Sequence, residues 1–200
     1  LLLRDDIMIN LVDLRSFDEE LFSHSVNVAI IAVIVGIDYG CNMKELETLA
    51  QAALLHDIGY LLSQEPKSTA HVTLGTDYLR KAGISQPVLQ LVYQHHERWD
   101  GNGYPNRLKQ SEIKELARII QVANIFDRLS ANNRYPMEEV IEYLMAKSGH
   151  EFEPLSVRNF INCVSLYPVG TMVELNTGES GVVIKSNKGF PTRPVVRIEK

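Results

Sequence analysis

The sequence predicts a mainly α fold, a helical bundle followed by a small C-terminal antiparallel β-meander. Three observations lead there. Apolar residues recur at helical spacing through residues 1 to about 165. Pro136, Pro154 and Gly83 fall where helices begin or end, not inside them. After Pro168 the pattern changes to short β-branched runs separated by turn residues.

Taken in order, Glu19–Asp38 carries Leu21, Phe22, Val26, Val28, Ala29, Ile31, Ala32 and Val35 on a broad stripe, so this helix is largely buried. Asn42 with Glu45 three residues on forms an N-cap signature for a helix over Met43–His56. Gly59 breaks the chain. A helix over Thr69–Lys81 ends at Gly83, and Ser85 caps Gln86–His96, with Pro87 tolerated in its first turn. Trp99–Asn106 is rich in Gly, Asn and Pro and is a loop. Helices follow at Ser111–Ser130, Pro136–Lys147 and Pro154–Ser165. The meander strands are Met172–Leu175, Val182–Lys185 and Val195–Ile198, joined at Asn176-Thr177-Gly178 and Asn187-Lys188-Gly189. Residues 1–165 are expected as one helical domain and 166–200 as a β tail packed on it.

The 200 residues are 45% hydrophobic and 22% charged, enough for a core without staples, and the net charge of -5 argues against non-specific nucleic-acid binding. Cys41 and Cys163 are distant and outside any CxxC pair, which suits a reducing, cytoplasmic setting. Val26–Gly36 is too short to span a bilayer and contains Asn27, so no span is expected within this chain.

The six histidines are the informative residues. His56-Asp57 and His95-His96 close two helices, His24 lies inside a buried one, and His71 lies near the start of another. Imidazole nitrogens and carboxylate oxygens from separate helices of a bundle can converge on a divalent metal that activates water. Each residue alone has a plainer reading: a core histidine at 24, a helix-end pair at 56 and 57, first-turn and solvated surface positions at 71 and at 95–98. His150 is assigned to the surface.

The runs Ala52-Ala53-Leu54-Leu55-His56-Asp57-Ile58-Gly59 and His95-His96-Glu97-Arg98-Trp99-Asp100-Gly101-Asn102-Gly103-Tyr104-Pro105 resemble the HD-GYP family. His24-Ser25, Ala117–Asp127 and Glu151-Phe152-Glu153-Pro154 continue the match, from Phe17 to Ser165. The resemblance implies an HD-type helical bundle and a cyclic di-GMP phosphodiesterase releasing pGpG or GMP. It implies two divalent ions, iron or manganese, held by His24, His56, Asp57, His71, His95, His96 and Asn124, with Asp57 shared and His56 and Asp57 at the catalytic centre. A third ion would use Glu20, one turn before His24. Arg134, Tyr104 and Trp99 are the substrate-side residues, and Trp99 either stacks on a guanine or packs under its loop. Gly103-Tyr104-Pro105 would flank the cleft or meet a diguanylate-cyclase-type domain, and a sensor or receiver domain would precede the chain.

Four positions depart from the family pattern. Tyr60 stands where a lysine is usual. The segment from Gly59 to His71 is short, which should leave the cleft open. Asn124 replaces an aspartate, and the usual arginines are reduced to Arg134. Three readings stay open: the phosphodiesterase, a signalling module that binds metal or nucleotide without hydrolysis, and a hydrolase of another phosphoester.

Overall fold

The computed structural model describes residues 19–63, 68–131, 135–187 and 190–198. Seven α-helices follow in order: α1 Glu19–Tyr39, α2 Met43–Leu55, α3 His71–Lys81, α4 Gln86–Gln94, α5 Glu115–Ser130, α6 Met137–Ala146 and α7 Pro154–Cys163. Short 3-10 turns lie at Ile58–Leu62 and Gln110–Glu112. Each expected helix is present, with ends that agree with the apolar pattern to within two residues except at the start of α5, four residues later than expected. Residues 1–18, counted as helical from sequence, lie outside the described part.

Helix α1 packs against α2, α5 and α7, with Val28, Ala32 and Val35 at the contact. It has 21 residues and a mean hydropathy of 1.8, so by length and composition it could cross a bilayer. The short stretch Val26–Gly36 undercounted it. In this structure one side is instead committed to the bundle. Asn42 caps α2 as expected, accepting from the backbone of Lys44 and Glu45 while Glu45 accepts from the Asn42 amide. Leu49, Leu55, Ile119, Ile120, Phe152 and Phe160 are fully enclosed, each worth roughly 1.5–3 kcal/mol of burial. This core sets the angles at which the inner ends of α1 to α5 meet.

The tail is a three-stranded antiparallel sheet in the order β1 (Met172–Glu174), β2 (Ser180–Lys185), β3 (Val195–Ile198). Met172 pairs with Val182, Val182 with Arg197, and an irregularity between Val183 and Lys185 shifts the register. Gly181 and Val183 are the buried residues of this small sheet. The Tyr167 hydroxyl donates to Glu138 of α6 at 2.7 Å, tying the tail to the bundle.

Candidate metal centre

Three imidazoles are oriented by their own helices. His56 follows α2, His71 opens α3 and His95 follows α4. Each places Nδ1 on the carbonyl three residues earlier: Ala53 at 2.7 Å, Ser68 at 2.7 Å and Val92 at 2.6 Å. A carbonyl only accepts, so Nδ1 carries the proton and a neutral ring presents its Nε2 lone pair inward. His24, on the second turn of α1, donates Nδ1–H to Asp127 of α5 at 2.6 Å and leaves Nε2 facing the same interior.

Asp57 lies among them at 1% exposure, with His56, His71 and His95 at 0%. Its Oδ1 is 3.3 Å from His71 Nε2 and 3.4 Å from His95 Nε2. Its Oδ2 is 3.3 Å from His56 Nε2 and 3.7 Å from His24 Nε2. Two groups of ligand atoms result, Asp57 with His71, His95 and His96, and Asp57 with His24 and His56, each lying within 4.8 Å. The carboxylate belongs to both.

Burial pushes the His95 pKa down to about 4, and it holds His96, beside His95, lower still. Both rings are therefore neutral near pH 7. Inward lone pairs then face an anionic carboxylate, which repels unless a cation stands between them. The buried polar atoms lacking a hydrogen-bond partner say the same. They are Nε2 of His24, His56, His71, His95 and His96, Asp57 Oδ1 and Asn124 Oδ1, with Arg98 Nε the one other such atom among the described residues. The donor set fits divalent metal at two adjacent positions.

The remaining sequence-predicted residues divide. Asn124 is 1% exposed on α5, its amide oxygen free for ligation. Tyr104 stacks on His96 with ring centroids 4.6 Å apart, so the loop braces a ligand. Glu20 is exposed in the first turn of α1 and its carboxylate joins neither group. Helical side chains lean toward the N-terminus, which carries it toward the solvent end and leaves a third ion without support. Trp99 has Arg118 5.1 Å over its ring and its backbone amide on the Glu151 carbonyl. Arg98 pairs with Asp100 and Glu151. His150 is exposed. Arg134 lies outside the described residues.

The short segment expected to leave the cleft open includes residues 64–67, which lie outside the described part. Tyr60 stacks on His71 at 4.0 Å, Tyr104 covers His96, and the Arg128 guanidinium reaches Asp57 Oδ2 at 2.8 Å. These side chains, from three elements, pack directly against the candidate ligands.

Three contributors escaped the sequence reading. Glu97 is fully buried rather than on a solvated face, and accepts from the amides of Asn106 at 2.7 Å and Leu108 at 2.9 Å. It thereby holds the loop that carries Tyr104. Asp127 orients His24, and Arg128 enters the site. Their spacing from Asn124, three and four residues along one helix, places all three on one face and was the available signal. Asp127→Asn is expected to weaken metal binding about 10- to 100-fold, the usual cost of losing a carboxylate behind a ligating histidine. Titration against a chromophoric chelator checks this; unchanged affinity would remove Asp127 from the role.

A helical bundle that converges five imidazoles on one buried carboxylate defines a metal-centre domain. A family model described as HD domain matches residues 21–129, and one described as KOW domain associated with HD domain matches 172–198. The chain belongs to the HD domain family and, by its Gly103-Tyr104-Pro105 run and relatives, to its HD-GYP type. It is 30% identical to a cyclic di-GMP phosphodiesterase of Pseudomonas aeruginosa, over 96% of this chain and 50% of that protein. It is 33% identical to the 3'3'-cGAMP-specific phosphodiesterase 2 of Vibrio cholerae, over 72% of this chain and 31% of that one. The chain thus spans half or less of the length of these relatives. An HDGYP protein from Bdellovibrio bacteriovorus shares the fold at a TM-score of 0.62 and 24% identity, over 72% of this chain and 52% of the other.

Proposed function

We propose that this chain is a metal-dependent phosphodiesterase domain that hydrolyses cyclic di-GMP to pGpG or GMP. The observation that carries it is Asp57, offering one oxygen to the His71–His95 group and the other to the His24–His56 group. In this reading His24, His56, Asp57, His71, His95, His96 and Asn124 hold two ions, iron or manganese by the mixed nitrogen and oxygen donors. Such ions supply a Lewis acid and an activated water for phosphodiester cleavage.

The chain's own residues do the rest. The backbone carbonyls of Ala53, Ser68 and Val92 keep three imidazoles proton-free at Nε2. Asp127 fixes the ring of His24, and Tyr104 fixes that of His96. Enclosure of Asp57 and its histidines keeps bulk water from the ligand atoms and strengthens every charge interaction there. The complete imidazole set favours the enzyme over a module that only binds. The two family matches support a division into a helical domain and a β tail near residue 165. The free thiols Cys41 and Cys163 support a reducing, cytoplasmic setting. A sensor or receiver domain and a cyclase-type partner at Gly103-Tyr104-Pro105 belong to the same signalling reading.

The test is hydrolysis by the purified chain after anaerobic loading with iron or manganese. Cyclic di-GMP and 3'3'-cGAMP are supplied in parallel and products are separated by chromatography. Metal-dependent pGpG or GMP from cyclic di-GMP is expected. Bound metal with no product from it sinks the reading, and product from 3'3'-cGAMP alone reassigns the substrate.

A further inference from the structure

Beside the centre lies a cation that the family pattern does not account for. Arg128 lies on the α5 face that also carries Asn124 and Asp127, and its guanidinium donates to Asp57 Oδ2 at 2.8 Å. The Tyr60 phenol lies beside it and interacts with it electrostatically. A guanidinium has five N–H donors, and these two contacts leave others. The Arg128 side chain is 40% exposed while Asp57 is closed off. Part of this side chain therefore reaches the solvent from which an anionic substrate must come.

Other cations nearby are engaged elsewhere. Arg98 pairs with Asp100 and Glu151, Arg118 with Glu153 and the Ile113 carbonyl, and Lys147 with Glu151. Tyr60 matters because its hydroxyl can accept from Arg128. A lysine at 60, as the resemblance would have it, would set a second cation against this guanidinium. Residues 60 and 128 are thus complementary: one gives up a charge where the other supplies it. The planar fork suits phosphate oxygens better than an ammonium does.

We propose that Arg128, braced by Tyr60, is the cation that binds a non-bridging phosphate oxygen of the substrate beside the Asp57 centre. The proposal rests on the phosphodiesterase reading for the identity of the substrate, but its test does not need turnover.

Inorganic phosphate is the probe, titrated calorimetrically into the metal-loaded chain, with metal per chain measured on the same samples. Arg128→Ala is expected to weaken phosphate binding about 10- to 100-fold with metal content unchanged, as expected for loss of a hydrogen bond between charged groups. Arg128→Lys should recover part of it. The double variant Arg128→Ala with Tyr60→Lys should recover more than Arg128→Ala alone, because the charge returns from the other side. Where wild type turns over cyclic di-GMP, the same order appears in KM, with kcat changed less. Unchanged phosphate affinity in Arg128→Ala overturns the proposal. So does a fall in its metal content, which would make Arg128 a support for Asp57. If wild type fails to cleave cyclic di-GMP yet phosphate binding follows Arg128, the substrate reading falls and this one stands.

Discussion

Asp57→Ala is expected to reduce bound metal from two ions per chain to at most one, and phosphodiester hydrolysis by more than about 100-fold. That bound is the upper end of what losing an outer carboxylate costs. Asp57 faces both groups, His71 and His95 with one oxygen and His24 and His56 with the other. Among the described residues the nearby carboxylates are already engaged. Glu97 is committed to the amides of Asn106 and Leu108, and Asp127 to His24. The fold should persist, because the core residues of α2, Leu49, Ala52, Ala53 and Leu55, are untouched. The loss then shows in metal content and rate, while the circular dichroism spectrum stays native. Two ions per chain and a native rate in the variant would end the shared-carboxylate arrangement.

Gly59→Ala should damage the same centre through the backbone. A Cβ at residue 59 would lie 1.9 Å from the His71 carbonyl oxygen and 2.8 Å from the Gly75 amide nitrogen. Neither is a flexible side-chain end, so α3 must move away from the 3-10 turn. Overpacking of this kind costs about 1–3 kcal/mol and at times more. In a chain of this size that lowers Tm by roughly 2–12 °C. Because His71 opens α3, the displacement also withdraws its Nε2 from Asp57. Calorimetric unfolding with and without added manganese reads both effects. The expected result is a lower Tm and a smaller stabilisation by metal; a wild-type Tm would mean that the close approach is not required.

The helices were legible because each declares itself locally: the apolar stripe of α1, the Asn42–Glu45 box of α2, and Pro154 at the start of α7. The histidine–aspartate cluster was legible by another route, since His56-Asp57 and His95-His96 with the loop through Pro105 form a motif. Single histidines such as His24 and His71 had plainer readings until that motif joined them.

What the sequence by itself determined was the architecture and the identity of the metal-seeking side chains, because periodicity, capping and motif are properties of neighbours along the chain. What only the tertiary structure decided was how those side chains act together. The division of Asp57 between two groups, the burial of Glu97 beneath the loop and the placement of Trp99 against Arg118 all depend on residues far apart in sequence. So does the meeting of Arg128 with Tyr60 and Asp57, 71 positions separating the last pair. A charge lost at one position and supplied at another leaves no local trace, because electrostatic complementarity depends on distance in space.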